Sequence, residues 1–153
     1  MRKRDVGVLT VIALFVILSS NVGALAESLW WTPATTNSDG SYTFTPSEMA
    51  TMTYYVRIDK PNPRDLTGTS GWYYLGETRG GVSSFPADNS LASLMRSYGF
   101  SGQPVKFTVS QSFKDTDGVE RDSAQSTPYP WVVPVIPPPV VLPPKAPSGC
   151  FVK

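Results

Sequence analysis

Two stretches of the chain set one face at every second residue. Met52, Tyr54, Val56 and Ile58 alternate with Thr53, Tyr55, Arg57 and Asp59, and Val105, Phe107, Val109 and Phe113 form a second stripe with Gln111 in the same register. An extended chain turns successive side chains to opposite faces, whereas a helix would scatter these residues around its circumference. Both stretches therefore read as half-buried strands. Their residue types agree, since Val, Thr, Tyr and Phe suit a pleated surface. Shorter alternations repeat the pattern: Leu29 with Trp31, Tyr42 with Phe44, and Trp72 with Tyr74 opposite Tyr73 with Leu75.

Strong breakers separate these stretches. Asn37-Ser38-Asp39-Gly40, Lys60-Pro61-Asn62-Pro63, Gly80-Gly81 and Asp115-Thr116-Asp117-Gly118 supply residues that tolerate or fix unusual backbone angles. One segment departs from the pattern. Leu91, Leu94, Met95 and Tyr98 fall at helical spacing, with Asp88, Asn89 or Ser90 as a cap and Gly99 as a stop. The expectation is an all-β, antiparallel sandwich with a short helical insertion, because strands with one apolar stripe each are dried by packing two sheets face to face.

The first 26 residues read as an export leader. Arg2, Lys3 and Arg4 precede an apolar run from Val6 to Leu18, and Ala24-Leu25-Ala26 supplies the small-residue cleavage pattern. That run has 13 residues, short of the roughly 18–20 needed to span a bilayer, so no stable membrane span is expected after cleavage. Processing after Ala26 takes away three basic residues and Asp5, leaving 10 Lys+Arg against 11 Asp+Glu. The expected divisions are a leader at 1–26, a β-sandwich at 27–133 and a proline-rich tail at 134–153.

Composition narrows function by exclusion. The 153 residues contain no His and one Cys, with 13 Lys+Arg against 12 Asp+Glu. Without His the commonest general base and metal ligand are missing. A lone Cys forms no disulfide within the chain and no thiolate zinc site. The near-neutral charge provides no field for nucleic acid. No Ser lies in a nucleophile-elbow sequence. No enzyme activity, catalytic residue, cofactor or metal is expected.

Leu29-Trp30-Trp31-Thr32-Pro33, followed by the polar run ending in Asp39-Gly40-Ser41, resembles the second strand and following loop of bacterial fibronectin type III modules. Tyr54-Tyr55-Val56-Arg57-Ile58 is similar to the next strand of such modules. Val105-Lys106-Phe107-Thr108-Val109 with Asp115-Thr116-Asp117-Gly118 is similar to their penultimate strand and hairpin turn. The resemblance covers roughly residues 28–133. It implies an immunoglobulin-like sandwich with Trp31 between the sheets. The sequence departs from the pattern in its helical segment at 88–100 and in Val105, which stands where a tyrosine commonly lies. It also departs at its start: only Glu27 and Ser28 would precede Leu29 after cleavage, too few for a first strand, so one sheet edge is expected to be unpaired.

Nine of the 15 prolines lie between Pro128 and Pro147. They favour extended polyproline II, so residues 134–147 form a semi-rigid spacer of roughly 40 Å. Tyr129-Pro130-Trp131-Val132-Val133 can still serve as an edge strand, where proline is tolerated. Beyond the spacer, Ser148-Gly149-Cys150-Phe151-Val152-Lys153 resembles the opening of a Cys-Phe-Ile box of some bacterial exported proteins, and Cys150 is a candidate intermolecular thiol.

Two clusters stand out as candidate sites. Asp115, Asp117, Glu120 and Asp122 gather carboxylates, but Val119 and Ser126 break a calcium-loop pattern and a hairpin turn accounts for Asp117-Gly118. Trp30, Trp72 and Tyr73 are candidate contacts for a ligand or partner, if they are not packed in the sheets. The expected function is a non-catalytic module, secreted or held in the periplasm or envelope. It would serve adhesion, scaffolding or spacing, with an envelope or extracellular protein as partner. Two alternatives are a carbohydrate-binding module that stacks glycans on these rings, and a filament subunit joined by edge-strand addition.

Overall fold

A computed structural model describes residues 14–17, 28–86 and 90–136. Most of the expected leader, the cap candidates Asp88 and Asn89, the spacer from residue 137 onward and Cys150 lie outside the described residues. The elements in chain order are β1 (Leu14–Ile17), β2 (Ser28–Trp31), α1 (Pro46–Met49), β3 (Thr53–Ile58), β4 (Tyr73–Thr78) and β5 (Ser84–Phe85). They continue with α2 (Leu91–Ser97), β6 (Pro104–Lys114), β7 (Glu120–Asp122) and β8 (Tyr129–Val132). The strands build two antiparallel sheets. One has the order β1-β2-β5. The other has the order β4-β3-β6-β7, with β8 also paired to β6.

The alternation read from the sequence decides which face of each strand is dry. Tyr54, Val56 and Ile58 of β3 and Val105, Phe107, Val109 and Gln111 of β6 are buried, and so are Leu29 and Trp31 of β2 and Phe85 of β5. These apolar residues form one cluster that joins the sheets. Trp31 and Tyr54 meet across it, with ring centroids 5.2 Å apart. The fold is thus β-rich and sandwich-like. Trp31 Nε1 and the Tyr54 hydroxyl are buried with no hydrogen-bond partner among the described residues. Each such group costs about 1–3 kcal/mol, which the packing of two large rings must outweigh.

The helical segment is α2, capped by Ser90, whose side chain accepts the N–H of Ser93, and it buries Leu91, Ala92 and Met95. A second short helix, α1, has no apolar periodicity to announce it. It forms through a capping box: the Glu48 side chain accepts the N–H of Thr45, the Thr45 hydroxyl accepts the N–H of Glu48, and Pro46 presets the first turn.

Two details shift the alternation. A bulge between the Val56–Gly76 and Arg57–Tyr74 pairs leaves Leu75 unpaired, so Leu75 and Gly76 both turn to the core. Gly76 is needed there: a Cβ built on it would lie 2.5 Å from Cε2 of Phe85 on the other sheet. Trp72 does not extend β4. It lies in the preceding turn, where its N–H donates to the Thr69 carbonyl.

The outer edge of β2, expected to be open once a leader is gone, is occupied in the full chain. Residues 14–17, within the apolar run assigned to the leader, pair with it antiparallel in the register Leu14–Trp31, Phe15–Trp30, Val16–Leu29 and Ile17–Ser28.

Candidate binding cleft on the outer sheet face

The residues left facing outward by the strand alternation make a polar cleft of about 410 Å³, lined by Tyr55, Arg57, Ser110, Glu120, Asp122, Ser123 and Gln125. Tyr55 and Arg57 come from β3, whose alternate residues are buried. Ser110 of β6 pairs with Tyr55. Arg57 Nη1 donates to Ser110 Oγ at 2.8 Å, and the guanidinium lies 6.0 Å from the centre of the Tyr55 ring. The guanidinium is thus held over the sheet beside an aromatic ring.

The acidic wall depends on how β6 is edged. Its partner strand is split into β7 and β8, and in the irregular stretch between them the Ser123 and Ser126 N–H groups still donate to the Gln111 and Val109 carbonyls. Two serine hydroxyls stand in for the missing backbone acceptors: Ser123 Oγ accepts the N–H of Gln111 at 3.0 Å, and Ser126 Oγ accepts the N–H of Val109 at 2.9 Å. This detour brings Gln125 to the rim. Glu120 and Asp122 sit at alternate positions of β7, and Glu120 accepts a hydrogen bond from Ser112 Oγ at 2.9 Å.

Arg121, between those two acids, serves a different purpose. Its Nη2 contacts Asp115 Oδ2 at 3.1 Å, and its guanidinium lies 4.2 Å from the centre of the Tyr42 ring. The other oxygen of Asp115 accepts the N–H groups of Asp117 and Val119 and so closes the hairpin turn. Partial burial pushes the Asp115 carboxyl up, but those two N–H groups and Arg121 outweigh it and hold it below the usual carboxylate range. Tyr42 completes the brace by donating to Glu48, a bond that raises the phenol and lowers the carboxyl. The N–H of Ser38 also donates to the Asp122 carbonyl at 2.8 Å. The loop after β2 and helix α1 therefore fix the hairpin that carries the acidic wall.

The aromatic candidates from the sequence are placed apart from this cleft. Trp30 is 42% exposed and lies on β2, in the three-stranded sheet. Tyr73 lies on β4, in the other sheet, and packs against the core. Trp72 is half-buried in the turn before it. The four clustered acids do not converge either, because Asp115 is engaged by its own turn and by Arg121 while Glu120 and Asp122 line the cleft. Among the described residues no group of three or more Asp, Glu, Cys or His is placed to hold a metal ion, and no helix is long and apolar enough to cross a membrane.

Of the cleft residues, sequence reasoning singled out Glu120 and Asp122 only within an acidic cluster and Tyr55 only among the strand aromatics, and it did not bring them together. A signal was present for Tyr55, Arg57 and Ser110, which occupy outward positions of the stripes that became β3 and β6. For Ser123 and Gln125 there was none, since the split of the edge strand follows from pairing. Comparison of the chain with protein-family models, curated proteins and solved structures finds no match.

Proposed function

We propose that the chain is an exported, non-catalytic interaction module of fibronectin type III-like design that binds a protein partner of the envelope or extracellular space through the cleft on its larger sheet. Two features of the fold support the module reading. A three-stranded sheet carries β2 at its centre, and a larger sheet carries the long β6 between β3 and a proline-bearing edge strand. The observation that carries the functional reading is the cleft itself. It presents an aromatic ring, a guanidinium, two carboxylates, an amide and hydroxyls without a nucleophile–base pair. Its volume lies toward the lower end of the roughly 300–1,000 Å³ found for ligand pockets, a size that suits a few side chains of a partner. Polar groups on a rigid sheet bind by fixed geometry and lose little entropy.

The test compares the full chain with its Tyr55→Ala/Asp122→Lys variant for capture of proteins from envelope fractions. A specific partner retained by the parent and lost from the stably folded variant supports the reading. Equal capture by both would overturn the assignment of the cleft.

A carbohydrate-binding reading is also supported by this site, because Tyr55 beside Glu120, Asp122 and Gln125 offers a ring face with hydrogen-bonding groups around it. It differs from the stacking surface expected at Trp30, Trp72 and Tyr73. Titration with soluble glycans separates the two: the cleft requires Tyr55, and the stacking surface requires Trp30.

A further inference from the structure

The N–H of Trp31 donates to the Ser83 carbonyl, beside β5, at 3.3 Å. Backbone groups of a strand point alternately to its two sides, so Leu29 and Trp31 face β5 while Ser28 and Trp30 face β1. The register places Phe15 opposite Trp30 and Ile17 opposite Ser28. The residues that now satisfy this edge belong to the segment read as a leader, and four consecutive apolar residues, Leu-Phe-Val-Ile, fill it.

We propose that removal of the leader vacates the outer edge of β2, and that the vacated edge receives an extended, uncharged, proline-free apolar strand from a polypeptide other than this chain. The inference rests on the reading that residues 1–26 are an export leader. The physical case is that a strand edge stripped of its neighbour carries free N–H and C=O groups that pair with any chain able to lie extended beside it. Side-chain burial favours an apolar occupant: Leu29 and Trp31, at 0% and 3% exposure, are core residues of the strand whose edge is uncovered. The chain's own spacer is poorly suited to the role. Between Pro134 and Pro147 no proline-free run exceeds three residues, and each proline lacks the N–H that the ladder needs.

The test uses the full chain with a protease site inserted between Ala26 and Glu27, folded first and then cut. Amide exchange at Ser28 and Trp30 is followed before the cut, after the released segment is removed, and after adding a lysine-flanked peptide of residues 13–19. The expected result is a fall in protection at Trp30 of about tenfold or more on release, restored by the peptide and not by its Phe15→Pro form. If the cut chain unfolds, recovery of its folded tryptophan emission with the first peptide alone is the equivalent result. Protection that survives release, or that the peptide fails to restore, overturns the proposal. Protection that rises with protein concentration alone assigns the edge to a second copy and overturns it as well. The mass of the exported chain tests the leader separately: a product beginning at Glu27 supports that reading, and a product retaining residues 1–26 removes it whatever the peptide does.

Discussion

The side-chain amide of Gln111 makes a two-way clamp on the backbone of Ala34. Gln111 Oε1 accepts the Ala34 N–H at 2.8 Å, and Gln111 Nε2 donates to the Ala34 carbonyl at 2.7 Å. Both residues are buried, and the clamp ties β6 to the segment leaving β2. A glutamine in an apolar stripe thus supplies the donor and acceptor that a neighbouring strand would otherwise provide. Gln111→Leu keeps the bulk but leaves two buried backbone groups unpaired. At about 1–3 kcal/mol each, the loss expected in chemical denaturation is about 2–6 kcal/mol.

The adjacent tryptophans at 30 and 31 are expected to separate sharply in the same assay. Trp31 fills the space between the sheets, so Trp31→Ala removes a large buried ring and costs about 3–5 kcal/mol. Trp30 is 42% exposed, and Trp30→Ala in the full chain costs about 1 kcal/mol or less. A larger cost for Trp30→Ala than for Trp31→Ala would mean that the two faces of β2 are assigned the wrong way round, and equal costs would mean that the faces do not differ in burial.

Gly76 lies close under the Phe85 ring of the other sheet. Adding a methyl group by Gly76→Ala drives it into the Phe85 ring, and overpacking of this kind costs about 1–3 kcal/mol. Combining it with Phe85→Leu recovers part of that loss. The coupling in a double-mutant cycle measures the contact directly.

Ser126→Ala leaves the N–H of Val109 without its acceptor, while the Ser126 N–H still donates to the Val109 carbonyl at 2.8 Å and holds the detour in place. The expected cost is about 1–2 kcal/mol, accompanied by faster amide exchange at Val109.

The fold weakens in acid through a defined set of groups. Asp39, Glu48, Asp65 and Asp115 are all held below their ordinary values, mainly by hydrogen bonds: from Ser41 to Asp39, from Tyr42 and Thr45 to Glu48, and from the Tyr74 and Thr67 N–H groups to Asp65. A carboxylate whose folded value is depressed contributes stability above its unfolded value and loses it as pH falls through the folded one. Stability is therefore flat at neutral pH and declines below about pH 4. Glu48→Gln flattens part of that decline. Tyr42 has the opposite sign: its raised value contributes stability below about pH 10 that is lost as pH rises further. Denaturation midpoints across pH check both limbs.

Much of the architecture was legible in local pattern. The stripes of 52–58 and 105–113 predicted β3 and β6 and assigned their faces, and the shorter Leu29–Trp31 alternation did the same for β2, because a side-chain period of two is a property of the extended backbone itself. Leu91, Leu94, Met95 and Tyr98 announced α2 in the same way. Tyr129 to Val132 kept its edge-strand role, since a strand at that position tolerates Pro130.

Other features depended on which strands meet. The bulge at Leu75, the closeness of Gly76 to Phe85 and the replacement of backbone acceptors by Ser123 and Ser126 are all set by register between segments distant along the chain. The same holds for Gln111, whose polarity within an apolar stripe is explained only when Ala34, 77 residues away, comes within reach. The cleft combines both origins. Alternation alone turned Tyr55, Arg57 and Ser110 outward, whereas only tertiary pairing set the split edge strand beside them and closed a site around them.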